Sequence, residues 1–283
     1  MIKEEYEFIY KKINKFKPLY QYKNFNDILL RHDVDHSIDF AFILSSLEKK
    51  INIRSTYFFL HNVNYFYHDD FFEKVRAIQE NGHEIGLHLD LLSDWFKNKN
   101  FNIEENLKKI LSKFKSEKIN IRGISSHGNK VCYEKKFINS WLFNECKYNN
   151  QIRNAEDIIT KQKAYSIPLP KNNYLTNSFN DKFKLWSISL NKYNLYYANN
   201  LETKNYITNT GGNFLRSDID ISNLKKSAQI NLHPEYMISF NLKSLCDKCE
   251  YFDLESLKKI SKNNLEIIQE INKKKIYKDY YIN

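Results

Sequence analysis

Apolar positions in this chain switch between two periods, one of 3.6 residues and one of 2, and the switching predicts a series of alternating helices and strands. Tyr6, Ile9, Ile13 and Phe16 recur at helical spacing and predict a short amphipathic helix within residues 1–20. Residues 27–35, with the run Ile28-Leu29-Leu30, read as a first strand. Ser37 is placed to cap a helix through Lys50, with Phe40, Ile43, Leu44 and Leu47 along one side. Arg54 to Leu60 is β-branched and aromatic, the composition of a second strand. A helix starting at Asp69 or Asp70 would stop at Asn81-Gly82, because glycine tolerates the left-handed turn that ends helices. Glu84–Asp90 reads as a third strand, Ile103–Lys118 as a helix and Ile121–Ser126 as a fourth strand. Further on, short strands are predicted near Lys184–Leu190 and Leu195–Ala198, a late strand over Ala228–Leu232, and a long closing helix over Leu254–Tyr277.

Strands separated by helices of this length form parallel sheets with crossover helices. The fold class expected is therefore α/β, as one (β/α) domain over residues 1–283, with a closed barrel as one form of it. Six Gly and four Pro in 283 residues leave little material for a flexible linker.

Composition changes this picture only slightly. The formal net charge is +10, yet Lys is spread along the whole chain beside abundant Asn, Ile and Tyr, as in the coding bias of an AT-rich genome. The most basic run, Lys273-Lys274-Lys275, reads as a solvated helix end. No nucleic-acid motif accompanies the charge, and no nucleic-acid partner is expected. The first residues are charged and lack an apolar signal core, and no stretch approaches bilayer-spanning length, which predicts a cytoplasmic protein without a membrane span. Cys132 and Cys146 are isolated, and Cys246-x-x-Cys249 lacks the second pair of a zinc ribbon, so the cysteines read as incidental in a reducing compartment.

The chemistry gathers at the predicted strand ends, where parallel α/β folds place their sites. Asp33 and Asp35 stand two residues apart and so share a face, with His32 and Val34 on the other. Two acids in one cavity repel, and a divalent metal relieves the repulsion if one acid is a ligand and the other is left as a base. The third strand delivers His88 and Asp90, the fourth His127, and the late strand His233. His83 lies on the opposite face from His88 and reads as structural. His61 and His68 fall in an aromatic-rich loop and read as exposed, while His36 adjoins the acidic pair.

Together, Arg31-His32-Asp33-Val34-Asp35, Gly82-His83-Glu84-Ile85-Gly86-Leu87-His88 and Leu232-His233-Pro234 resemble the polysaccharide deacetylase superfamily (NodB homology, carbohydrate esterase family 4). Ser126-His127-Gly128 and Gly211-Gly212 resemble a branch found in bacterial surface-polysaccharide gene clusters. The resemblance implies a distorted (β/α) barrel with mostly parallel strands, a Zn²⁺-type metal, and hydrolysis of an N-acetyl group on a sugar. It implies Asp33 as catalytic base, Asp35 and His88 as metal ligands, and His233 as general acid. The family's second histidine falls on Leu92, so His127 becomes the candidate third ligand, with Asp90 or His36 as alternatives. The family's Arg/Pro motif after the fourth strand is missing, and Asn209 stands where the branch more often carries Asp. Asp218, Asp220 or Asn209 could orient His233, and Trp186, Tyr196 and Tyr65–Tyr67 could form sugar platforms.

The expected partner is an N-acetylated sugar, nucleotide-linked or lipid-linked, or a glycan precursor. The same residues could instead cleave another amide or an ester. The missing second histidine also motivates a different class, a catalytically silent relative that binds a glycan or a partner enzyme.

Overall fold

A computed structural model describes residues 27–135 continuously, together with residues 7, 9–11, 16–22, 137, 139–143, 145–148, 151–154, 188–198, 205–208 and 228–237. In chain order the elements are β1 (Phe16–Lys17), β2 (Ile28–Val34), α1 (Ile38–Lys50), β3 (Thr56–Leu60), α2 (Phe71–Glu80), β4 (Glu84–Leu89), α3 (Leu91–Lys97) and α4 (Ile103–Ser116). There follow β5 (Ile121–Ser126), α5 (Lys130–Lys135), β6 (Glu145–Tyr148), β7 (Gln151–Asn154), β8 (Tyr197–Ala198), β9 (Asn205–Thr208), β10 (Ala228–Leu232) and α6 (Pro234–Met237). The paired strands run in the orders β8-β5-β4 and β3-β2-β10-β9, with β1 also pairing β2. These mostly parallel strands with intervening helices are the expected α/β class.

The chain divides into two compact units. The first comprises Met1–Phe59, Val63–Glu84 and Thr203–Asn283. Here β2 pairs in parallel with β1, β3 and β10, and β10 with β9. Every residue of β3 and β10 is buried, as in parallel strands covered on both faces. Leu29, Leu30, Ile43, Leu44, Phe58, Val75 and Ile78 form the core, each contributing about 1.5–3 kcal/mol by burial. Gly82 follows α2 at φ +92°, the left-handed turn expected there.

The second unit comprises Leu60–Asn62 and Ile85–Glu202. Its β5 pairs in parallel with β4 and β8, while β6 and β7 form an antiparallel pair that the sequence pattern does not predict. Helix α3 is likewise unpredicted, since seven residues are too few to display a helical period. Leu91 and Leu92 are fully buried in it.

The predicted strand and helix boundaries from residue 27 to 126 hold within two or three residues. One correction concerns Phe16. Residues 7 and 9–11 are helical, but Phe16 and Lys17 are extended and pair with Ile28 and Leu29, because the edge of β2 offers them a ladder. The expected strand near Lys184–Leu190 is represented by Ile188, bridged to Phe143. The predicted helix over 254–277 lies outside the described residues. Among the described residues no helix is long and apolar enough to cross a membrane.

Candidate active site

Alternation along β2 separates two environments. On one face Arg31 and Asp33 form a buried ion pair, with Arg31 Nη2 2.8 Å from Asp33 Oδ1 and 2.6 Å from Oδ2, and Nε 3.1 Å from Oδ1. A guanidinium that meets both oxygens of a carboxylate fixes its direction as well as its charge. Asn231 of β10, the register partner of Arg31, donates from Nδ2 to Asp33 Oδ2 at 2.8 Å. Phe58 of β3 lies under the guanidinium, 5.0 Å from ring centre to Cζ. Just beyond the strand, Asp35 Oδ2 stands 3.5 Å from Nε2 of His233. The Asp218, Asp220 and Asn209 positions considered as orienting groups lie outside the described residues, as do Gly211-Gly212, Trp186, Cys246 and Cys249. His36 faces Glu235 at 3.9 Å.

On the opposite face His32 reaches Glu48 of α1, with Nε2 2.8 Å from Oε1. Glu48 is fully buried and also accepts from Tyr10, Ser55 and Tyr57 at 2.6, 2.7 and 2.9 Å. Burial pushes its pKa up, but the charge and hydrogen bond of His32, the charge of His83 and the Tyr10 hydroxyl outweigh it and hold the carboxyl at about 2. His83 belongs to the same cluster, within hydrogen-bond reach of the Ser55 hydroxyl and the Ser45 carbonyl, and burial lowers it to about 4. That environment agrees with its structural reading.

In the second unit, His88 and His127 stand with ring centroids 5.1 Å apart. His88 comes from β4, and its Nδ1 approaches the Ser125 carbonyl at 3.3 Å. His127 follows β5, and its Nδ1 lies 3.1 Å from Asp90 Oδ2. An imidazole that donates from Nδ1 carries its lone pair on Nε2, the atom that remains for coordination. His61 corrects an expectation. It is buried, because its ring sits between Asp94 Oδ2 at 3.0 Å and the His88 carbonyl at 3.4 Å.

Asp35 of the first unit and His88 and His127 of the second each offer a ligand atom of a kind that binds metal ions. One carboxylate oxygen with two imidazole nitrogens is a donor set that zinc accepts in catalytic sites, where a further position is left for water. The donor chemistry therefore fits such an ion. Asp90 is not in this group. Neither is Leu92, which is core of α3.

Among the residues considered as sugar platforms, Tyr65 is buried and donates its hydroxyl to the Val34 carbonyl at 2.5 Å, whereas Tyr67 and Tyr196 are exposed. Sequence reading gave no role to Arg31, Asn231 or the asparagines around Asp90. Alternation could have found the first two, since Arg31 shares a strand face with Asp33 and Asn231 with His233.

These observations define an α/β protein whose parallel strands end in carboxylates and imidazoles. Among solved structures the chain is similar to a family 4 carbohydrate esterase from Bacillus anthracis, with 11% identity and a TM-score of 0.36 over 97% of this chain and 88% of that one. No family model matches the sequence, and no curated protein matches it.

Proposed function

We propose that this protein is a metal-dependent hydrolase that removes the N-acetyl group from a sugar in surface-polysaccharide assembly of the O-antigen or capsule type. The substrate is a nucleotide-linked or lipid-linked sugar or a glycan precursor, and the metal is zinc. The observation that carries the reading is the His88–His127 pair, two imidazole donors with ring centroids 5.1 Å apart, to which Asp35 would add a carboxylate. The motif series Arg31–Asp35, Gly82–His88 and Leu232–Pro234 supports the choice of substrate class.

Asp35, His88 and His127 would hold the metal, which supplies Lewis-acid polarisation of the acetyl carbonyl and acidifies water. Asp33 takes a proton from the attacking water, and its direction is fixed by Arg31 and Asn231. The water oxygen bonds to the acetyl carbon and the carbon–nitrogen bond breaks. His233 in its protonated form gives a proton to the departing nitrogen, which leaves as an amine while acetate is released. Asp35 Oδ2, 3.5 Å from Nε2 of His233, faces the nitrogen that would deliver this proton.

The test is metal content by mass spectrometry on protein purified without a metal-affinity tag, followed by acetate release from a panel of N-acetylated sugars. Near-stoichiometric zinc and acetate release are expected. A protein that holds no metal and takes none up would overturn the proposal in favour of a silent glycan-binding relative, the reading that Leu92 in place of a histidine favours.

A further inference from the structure

Asp90 stands at the N-cap of α3, where an aspartate ordinarily turns its carboxylate onto the first free backbone N–H groups of the helix. Here it makes no such cap bond. Its side chain is turned instead to His127, Asn129, Asn62 and Asn139. Oδ2 lies 3.1 Å from His127 Nδ1, and accepts from Asn129 Nδ2 at 2.6 Å and from Asn62 Nδ2 at 3.3 Å. Oδ1 accepts from Asn139 Nδ2 at 2.9 Å. A carboxylate has about four lone-pair sites, and these donors match them.

The surroundings fix the histidine from its backbone as well as its ring. Asn139 Nδ2 is 2.9 Å from the His127 carbonyl oxygen, and the His127 backbone N–H donates to the Leu89 carbonyl at 3.1 Å. Asn139 is itself held by the Ser93 N–H, which donates to its Oδ1 at 3.0 Å. Asp90 is 1% exposed, so water does not compete for the carboxylate. Each of the three asparagines turned toward it does so with an Nδ2 donor.

From this geometry we infer that Asp90 is the positioning residue for His127, holding Nδ1 as the donor so that Nε2 is presented as a ligand. The inference rests on the metal reading above. It explains how a histidine in a loop beyond β5 can stand in for one that α3 lacks at Leu92. The carboxylate at the start of α3 acts on the loop histidine from outside the donor set. A carboxylate behind a ligating imidazole also raises its basicity, and losing such a partner typically weakens metal binding about 10- to 100-fold.

The experiment is a cobalt(II) titration of the full chain after chelation, read by the visible d–d band, with zinc competition for affinity. Wild type, Asp90→Asn and Asp90→Glu are compared, and circular dichroism melts report folding. Binding by wild type, with Asp90→Asn weaker by about 10- to 100-fold and its band altered while the fold is retained, is the expected result. Partial recovery in Asp90→Glu would support the carboxylate as the cause. Wild-type affinity and an unchanged band in a folded Asp90→Asn would overturn the inference and leave the metal reading standing. Absence of cobalt and zinc binding by wild type would overturn the metal reading itself, before any variant is compared. If Asp90→Asn does not fold, Asn129→Ala, which removes the 2.6 Å donor together with the Oδ1 that accepts from the Val131 N–H at 3.1 Å, is read in the same way. Several-fold weaker binding is then expected, and unchanged binding overturns the inference.

Discussion

Asp33 is gripped on both carboxylate oxygens by the guanidinium of Arg31, two residues earlier on the same strand. Arg31 thus provides the guanidinium from within β2 itself. Lysine would keep the charge and lose the two-oxygen fork. Arg31→Lys is therefore expected to lower kcat about 10- to 100-fold through misplacement of the base, with KM and metal content unchanged. Wild-type kcat in that variant would release Arg31 from this role.

Asp33→Asn removes the proton acceptor and leaves the proposed ligands intact. Turnover should fall by about 10²–10⁴, the usual contribution of a positioned base, while metal content stays at the wild-type value. Robust activity would remove Asp33 as the base.

His127→Ala takes one imidazole from the donor set. Bound zinc, measured by mass spectrometry after dialysis, should drop well below one per chain, as it should in His88→Ala. Unchanged stoichiometry would move the third ligand to another residue.

Acid should destabilise the fold in two stages. In the unfolded chain His83 gains its proton near pH 6.5, but burial keeps it neutral in the fold down to about 4. The unfolded chain then binds more protons between these values, so stability falls as pH drops from 6.5 to 4. Glu48 acts in the same direction lower down, because its folded pKa of about 2 lies below the ordinary 4.5. Its contribution is complete above pH 4.5 and is lost as pH falls through 2. Thermal melts of metal-free protein should show the midpoint falling by roughly 5–10 °C between pH 7 and pH 4. His83→Gln should flatten that limb.

Gly82 tests a backbone requirement. Its φ of +92° disfavours any side chain, and a Cβ there would run into the Arg54 guanidinium. Gly82→Ala should destabilise the fold by about 1–2 kcal/mol, read by chemical denaturation. A neutral result would mean that the turn relaxes.

Much of this was legible in the sequence because it depends on periodicity. The faces of β2 follow from alternation, which separates Asp33 from His32 before any coordinate is known. The strand ends that carry His88, His127 and His233 follow from the apolar runs that precede them. What the sequence did not reveal depends on partners distant along the chain. Asp90 looked like a spare ligand, since nothing local shows Asn129 and Asn139 turning toward it. His61 looked exposed because a loop sequence does not announce the Asp94 that covers it. Phe16 fits a helical stripe as well as a strand, and only the edge of β2 decides between them.

Glu48 has a consequence for how β2 finds its place. The strand shows His32 to that buried carboxylate and Asp33 to the other side. A slip of one residue that moved Asp33 into the place of His32 would bring an acid against an acid already desolvated inside the fold. The mispaired strand would have to bury two like charges or leave its neighbours. In that register a residue far from the chemistry disfavours the misaligned strand by repulsion.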